Sequence, residues 1–175
     1  SGPGALSVAP SDWEGHVAEI RSSLNCGEDT LVLMAGMVGS NRGWIEVPYV
    51  PCPAGLGELA ANIHWHGRVG IVPGLSFLDG ANADVMRGEE MQVLGALAAG
   101  LIPDTATLCT PGTHNKWIQV EDGRIRSFAT AMSGEMFQLL RERSILSDLL
   151  LGSDVAPAPA FSAGVAHALE HDDLF

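Results

Sequence analysis

The segment 108-LCTPGTHNKWIQVEDGRIRSF-128 sets a polar Pro-Gly-Thr-His-Asn-Lys stretch between two apolar, β-prone runs. Counting TATLCT before it and RIRSFATA at its end, three strand-like runs reverse at Pro111-Gly112 and at Asp122-Gly123, pairs suited to tight turns. The spacing predicts a β-meander, with Pro111-Gly112 in a type II turn. Hairpin closure alone accounts for the Pro-Gly pair. A second reading adds Thr113, His114 and Lys116, three donors beside a turn whose backbone N–H groups could grip phosphoryl oxygens. The residues alone leave the plain hairpin and the phosphate grip equally open.

Upstream, GEEMQVLGALAAG places Met91, Leu94, Leu97 and Ala98 on one helical face, with Gly100 as the stop. Ser11-Asp-Trp-Glu14 reads as a capping box for a helix carrying Val17, Ile20 and Leu24. That helix leads into TLVLMA, residues 30–35, a continuous apolar run expected to be buried on both faces of a sheet and to open into the glycine-rich loop MAGMVGSNRGW. WIEVPYV (44–50) is expected as a strand, GLGELAANIH as a short helix and RVGIVPG (68–74) as a short buried strand. Downstream, SGEMFQLLRER is a helix, Pro157-Ala-Pro159 a linker and FSAGVAHALEH a last amphipathic helix. The order of elements is that of an α/β protein with a mixed sheet flanked by helices.

The chain has 175 residues and is 46% hydrophobic, enough for one substantial core or two small subdomains sharing an interface. Nine Lys and Arg stand against 21 Asp and Glu, a formal charge of −12. No basic stripe is interleaved with aromatics, which argues against a nucleic-acid partner. A small anion remains compatible with this balance, because a few backbone N–H groups and one or two cations suffice to hold a phosphate. Cys26, Cys52 and Cys109 have no metal-binding or Cys-x-x-Cys spacing, which suits a reducing, cytoplasmic setting. No apolar run approaches the roughly 20 residues of a membrane span, and no signal-peptide pattern is seen, so a membrane partner is not expected.

Several motifs fail on context. GLGELA matches a loose dinucleotide-binding pattern, but Val-Pro-Cys-Pro rather than a strand precedes it. His64-Trp-His66 and His167 with His171 are paired at ligand spacing without a convincing third ligand. No Gly-x-Ser-x-Gly elbow occurs. More informative are Glu89 and Glu90 in the first turn of a helix, directly after Arg87-Gly88. Compensation of the helix dipole explains them blandly. Alternatively NADVMRG, read as a polar, flexible loop, could carry Glu89 to the wall of a cleft. The glycines around Ser40 and Asn41 are similarly divided between turn geometry and close approach to a ligand.

Taken together, MAGMVGSNRGW, VPGLS, DVMRGEEMQVLGA and the run from PGTHNKW to MSGE resemble the 2-dehydro-3-deoxygalactonokinase family, over nearly the whole chain and in the same order. The resemblance implies a sugar-acid kinase of the actin-like ATPase superfamily. It would have two ribonuclease H-like domains flanking an ATP cleft, use Mg²⁺, and phosphorylate a 6-hydroxyl. By the same resemblance, Glu89 is the candidate general base, with the choice between Glu89 and its neighbour Glu90 left open. Gly39, Ser40, Asn41 and Trp44 line the sugar-acid pocket, and Arg87 meets the substrate carboxylate or else pairs with Glu90. Gly112, Thr113 and His114 form a phosphate hairpin, with Lys116 either reaching phosphate or sitting on the second hairpin strand. Such kinases begin with an Asp-x-Gly-Thr type hairpin that binds phosphate and metal, and none is found here, so the metal ligands are unknown. The resemblance thus implies a piece of a two-domain kinase: most of a first domain over 1–103, and the opening meander and helices of a second over 104–175. That piece is expected to lack turnover by itself. Another sugar-acid kinase, or a non-catalytic binding domain that keeps the loops for structure, are the competing readings.

Overall fold

The computed structural model describes residues 4, 7–149 and 158–171. They form two compact units, Ser1–Gly134 and Glu135–Phe175. The first unit begins with α1 (Trp13–Ser23), which buries Trp13 and Val17. The capping box is not made: Asp12 is the N-cap and gives no side-chain cap bond, while the Ser11 hydroxyl donates to the neighbouring Asp12 Oδ1 at 2.8 Å. The apolar face is also less covered than its spacing suggests, with Leu24 exposed.

Among the described residues the strands make three small sheets. In the first, β1 (Val32–Met34) lies parallel to β4 (Val69–Ile71), which pairs antiparallel with β3 (His64–His66). β4 is buried along its length, as RVGIVPG suggested. β1 differs from expectation: it is three residues long, pairs with one strand, and leaves Leu33 61% exposed. A strand becomes buried on both faces only when layers cover both, and within this unit one side of β1 stays open.

The second sheet joins β2 (Val50–Pro51), β5 (Leu75–Asp79) and β6 (Asn82–Met86). Here two expectations are corrected. Residues 44–49 form no strand, because their amides serve the preceding loop: Trp44 and Ile45 donate to Val38 O and Val47 donates to Gly39 O. NADVMRG is not a flexible loop but mostly β6, paired with β5 from Leu75↔Met86 to Asp79↔Asn82. The two-residue turn between them starts at Gly80, whose φ of 58° suits it to the left-handed position. Helix α2 (Leu56–Ala61) begins where Gly55 N–H donates to Glu58 Oε2 at 2.8 Å. Helix α3 (Glu89–Ala98) buries Glu90, Val93 and Leu94.

The third sheet is the expected meander, β7 (Ala106–Thr110), β8 (Asn115–Glu121) and β9 (Arg124–Ala131), paired antiparallel throughout. Asp122 and Gly123, at φ 50° and 71°, close the second reversal. The first reversal is not the type II turn expected, since Gly112 does not adopt the positive φ that such a turn requires at its third residue. Ile118, Val120, Ile125 and Phe128 pack with Val50, Leu59, Val72, Leu75, Met86, Val93 and Leu94 into one core. The meander is therefore anchored directly beneath β5, β6 and α3.

Helix α4 (Ser133–Arg143) starts at the end of the first unit. In the second unit α5 (Pro159–Glu170) forms where a helix was expected, with Pro159 as its first residue. Pro157, the other proline of the anticipated linker, lies outside the described residues.

Candidate functional site

A first cluster of the expected residues gathers where β6 ends. Arg87 leaves the strand and Gly88 turns the chain at φ 116°, in a region favouring glycine, so that α3 starts with Glu89 and Glu90. The Arg87 guanidinium lies 4.3 Å from the centre of the Tyr49 ring and donates through Nη2 to Val47 O at 2.7 Å. Its Nε and Nη1 are buried with no hydrogen-bond partner among the described residues. Gly39 is where the glycine-rich loop meets this cation: a Cβ there would stand 2.8 Å from Arg87 Nη1. The loop comes close for a reason the residues alone left open. The guanidinium is stacked, pinned at one nitrogen and left with two buried donors, which a carboxylate could meet only if the loop at Gly39 moved aside.

The two glutamates behave differently. Glu89 is partly exposed, and its Oε2 accepts the Arg87 backbone N–H at 3.2 Å. Glu90 is fully buried, its Oε2 accepts the Gly88 N–H at 2.6 Å, and its Oε1 has no partner among the described residues. Burial pushes the Glu90 carboxyl up from an ordinary 4.5 to about 7. Backbone N–H groups and the Arg87 charge oppose that rise, and the Glu89 charge adds to it. Chemically, Glu89 has the exposure a proton acceptor needs.

Around the loop, Ser40 is buried and turned on its own backbone, donating to Met37 O at 2.8 Å and accepting the Arg42 N–H at 3.2 Å. Asn41 is exposed at the tip. Trp44 stacks on Trp13 with ring centres 6.0 Å apart, and His66 meets it edge-on at 5.1 Å. His66 also lies 3.6 Å from the Glu14 carboxylate. Of the His64-Trp-His66 motif, His66 packs against Trp44, and among the described residues no three His, Cys, Asp or Glu side chains gather to hold a metal ion. Mg²⁺ held chiefly by phosphate oxygens and water needs only one or two protein carboxylates, fewer than such a cluster.

A second cluster surrounds the loop between β7 and β8. Gly112 N–H donates to Asn115 Oδ1 at 2.7 Å, and Asn115 Nδ2 donates to Ser133 Oγ at 2.6 Å. Gly134 lies so close beneath that a Cβ on it would meet Gly112 O at 2.3 Å and Thr113 Cα at 2.9 Å. Thr113 and His114 are exposed beside this anchored backbone. Thr110 Oγ1 is buried without a hydrogen-bond partner among the described residues. The structure therefore brings Gly112, Thr113 and His114 together on a loop that the first residues of α4 hold in shape.

Lys116 is placed elsewhere. It is only 5% exposed, and its Nζ donates to Asp84 Oδ1 at 3.3 Å, to Val85 O at 2.5 Å and to Thr130 Oγ1. Thr130 Oγ1 in turn lies 2.8 and 2.7 Å from the two Asp84 carboxylate oxygens. An ammonium has three N–H bonds, and these partners occupy all three. Of the two readings open in the sequence, the geometry favours Lys116 as a strand residue. Through it, β6, which delivers Arg87, is tied to the ends of β8 and β9, which deliver Asn115 and Ser133. Tyr49, Val47, Asn115, Ser133 and Gly134 are site-building residues that the sequence reading did not single out.

The whole chain, residues 1–175, matches the family model described as 2-keto-3-deoxy-galactonokinase. It is 38% identical over 167 residues to a protein of Rhizobium meliloti (strain 1021) described as a probable 2-dehydro-3-deoxygalactonokinase, covering 92% of this chain and 53% of that one. It is 40% identical over 147 residues to the 2-dehydro-3-deoxygalactonokinase of Escherichia coli (strain K12), covering 81% and 48%. A solved crystal structure from Sinorhizobium meliloti, of a candidate 2-dehydro-3-deoxygalactonokinase, superposes with a TM-score of 0.86 at 32% identity, covering 98% of this chain and 58% of that one. The chain spans about half the length of the curated relatives it matches.

Proposed function

The chain belongs to the 2-keto-3-deoxy-galactonokinase family, and from that premise we propose that the full-length polypeptide carrying it transfers the γ-phosphoryl group of ATP to the 6-hydroxyl of 2-dehydro-3-deoxy-D-galactonate. On this reading it is a cytoplasmic enzyme acting on a small sugar acid. The fold is a ribonuclease H-like, two-domain kinase of the actin-like ATPase superfamily: residues 1–103 supply most of the first domain, and 104–175 open the second. The observation that carries the reading is the Arg87 turn, where a stacked guanidinium with two buried, unpartnered donors adjoins the glycine-rich loop and precedes Glu89 by two residues.

Phosphoryl transfer asks a protein mainly to position groups and to neutralise charge. Arg87 Nε and Nη1 receive the substrate carboxylate once the loop at Gly39 has moved aside, while Gly39, Ser40, Asn41 and Trp44 shape the pocket wall. Glu89 takes the hydroxyl proton as that oxygen bonds to the γ-phosphorus and the bond to the ADP oxygen breaks. The Gly112 and Thr113 backbone, with His114, faces the transferred phosphoryl oxygens. Lys116 holds strands together in this scheme. Mg²⁺ would neutralise phosphate charge when bound, held chiefly by nucleotide oxygens and water.

The test is ADP release by the full-length polypeptide with ATP, Mg²⁺ and a panel of sugar acids. Wild type should turn over 2-dehydro-3-deoxygalactonate, and Glu89→Gln should lose about 10²–10⁴-fold in kcat with its fold unchanged. Activity in both would move the base elsewhere. Activity on a different acid alone would change the substrate, and a folded wild type inert to the whole panel would favour the binding-domain reading.

A further inference from the structure

Glu90 has no part in the transfer as written, yet nothing about a solvated helix end calls for it to be fully buried. Dipole compensation at the head of α3 is available to Glu89, which keeps contact with water. An interior carboxyl that merely balanced a dipole would carry a desolvation cost without need. What Glu90 does have is a short bond: its Oε2 accepts the Gly88 N–H at 2.6 Å. Gly88 is the single residue at φ 116° between the end of β6 and the start of α3, and it packs so near the glycine-rich loop that a Cβ on it would lie 3.4 Å from Gly36 Cα. On either side of it stand Arg87 and Glu89, joined by the Arg87 N–H to Glu89 Oε2 bond of 3.2 Å. The position of both working groups follows from how that one peptide is held. Glu90 Oε1 has no partner among the described residues; apart from Glu90's own backbone N–H, the Gly88 N–H is the group that ties the carboxyl to this turn.

We propose that Glu90 is a positioning residue for the transfer reaction: from inside the fold it holds the Gly88 amide, and so fixes the turn that presents Arg87 to the substrate carboxylate and Glu89 to the hydroxyl. This rests on the kinase reading for its consequence, but not for its geometry. The functional difference between the two adjacent glutamates is then one of direction. Glu89 faces the reaction, and Glu90 holds the backbone from behind.

Three variants of the full-length polypeptide test it. Glu90→Gln keeps an acceptor for Gly88, Glu90→Leu keeps bulk without an acceptor, and Glu90→Asp keeps the charge on a side chain one methylene too short to reach. Exchange of the Gly88 amide should match wild type in the Gln variant and speed up about tenfold or more in the Leu and Asp variants. For the sugar acid, kcat/KM should stay within about threefold of wild type in the Gln variant and fall about 30-fold or more in the other two, with KM for ATP nearly unchanged. The Asp variant keeps the comparison open if the Leu variant fails to fold. Loss of about 10²-fold or more in Glu90→Gln would overturn the proposal by making Glu90 a proton carrier. Wild-type exchange and turnover in Glu90→Leu and Glu90→Asp would overturn it by showing the bond to be idle. Parallel losses for both substrates and in melting temperature, without rescue by Glu90→Gln, would reduce Glu90 to a core residue. If wild type turns over none of the sugar acids, the kinase reading fails, while Gly88 exchange still decides whether Glu90 holds the turn.

Discussion

A carboxyl group held at a raised pKa makes the folded state a better proton binder than the unfolded chain, and Glu90 has that property. Below pH 4.5 both states carry the proton, and the group is neutral in the balance. Between 4.5 and about 7 the folded chain keeps a proton that the unfolded chain has released. Unfolding then sheds protons, so stability falls as pH rises, at up to about 1.4 kcal/mol per unit. Above 7 both states are ionised and the penalty is constant, on the order of 3 kcal/mol. Arg87 and Glu89 are the charged groups acting on this carboxyl. Glu90→Gln removes the titration, so its stability relative to wild type should rise through pH 4.5–7 and level off above. Urea midpoints measured across that range for both proteins check this. Parallel curves would mean that Glu90 titrates as a solvated carboxyl.

At the scale of elements, the Asp84–Lys116–Thr130 group joins β6 to β8 and β9 through a buried Lys116 and a partly buried Asp84. Removing Asp84 leaves the buried ammonium without its counter-charge, removing Lys116 leaves a carboxylate that keeps Thr130 and some contact with water, and removing both leaves a smaller deficit. Asp84→Asn should therefore destabilise the fold by about 3–5 kcal/mol and Lys116→Met by less, and the Asp84→Asn, Lys116→Met double variant should recover part of the Asp84→Asn loss. Denaturant unfolding of the four proteins in the cycle reads the coupling directly, and an additive result would show that the pair contributes little to holding these strands. In 115-NKWIQVE-121 strict alternation puts Lys116 on the same face as Ile118 and Val120, yet the sequence reading left contact with phosphate equally open. The meander was legible from such alternation and β4 as a continuous apolar run; α3 was legible as an element, but its buried face is Glu90, Val93 and Leu94, with Met91 and Leu97 only partly covered and Ala98 exposed. WIEVPYV misled because its amides go to the glycine-rich loop, a tertiary use that β-propensity does not register. β6 was hidden because its polar alternation resembles a loop, although Asp79-Gly80 marked the turn. In the site, Glu89, Arg87 and the 112–114 loop could be placed from sequence, while Tyr49 under Arg87 and Gly134 under Gly112 depend on long-range approach, which no local pattern encodes.

For the molecule as a whole, β1 raises the largest question. Among the described residues it pairs with β4 alone, and Leu31 and Leu33, just before and within it, stand 57% and 61% exposed. An apolar strand with one partner is a poor surface, because its unpaired N–H and C=O groups invite further pairing. Relatives about twice as long have chain enough to cover it. If the rest of the polypeptide packs over β1, Leu33 is a solvent residue in the 175-residue chain and a core residue in the full-length protein. Leu33→Gln should then change the stability of the 175-residue chain by no more than about 0.5 kcal/mol, and cost the full-length protein about 1.5–3 kcal/mol. On the kinase reading, if phosphate contacts come from outside residues 1–175, the 175-residue chain alone should release ADP only at background. Urea unfolding of wild type and of Leu33→Gln in both lengths, with ADP release measured on each, separates the possibilities. An equal cost in both lengths would mean that β1 is an edge in the longer polypeptide too, and robust turnover from residues 1–175 would place every essential phosphate contact within them.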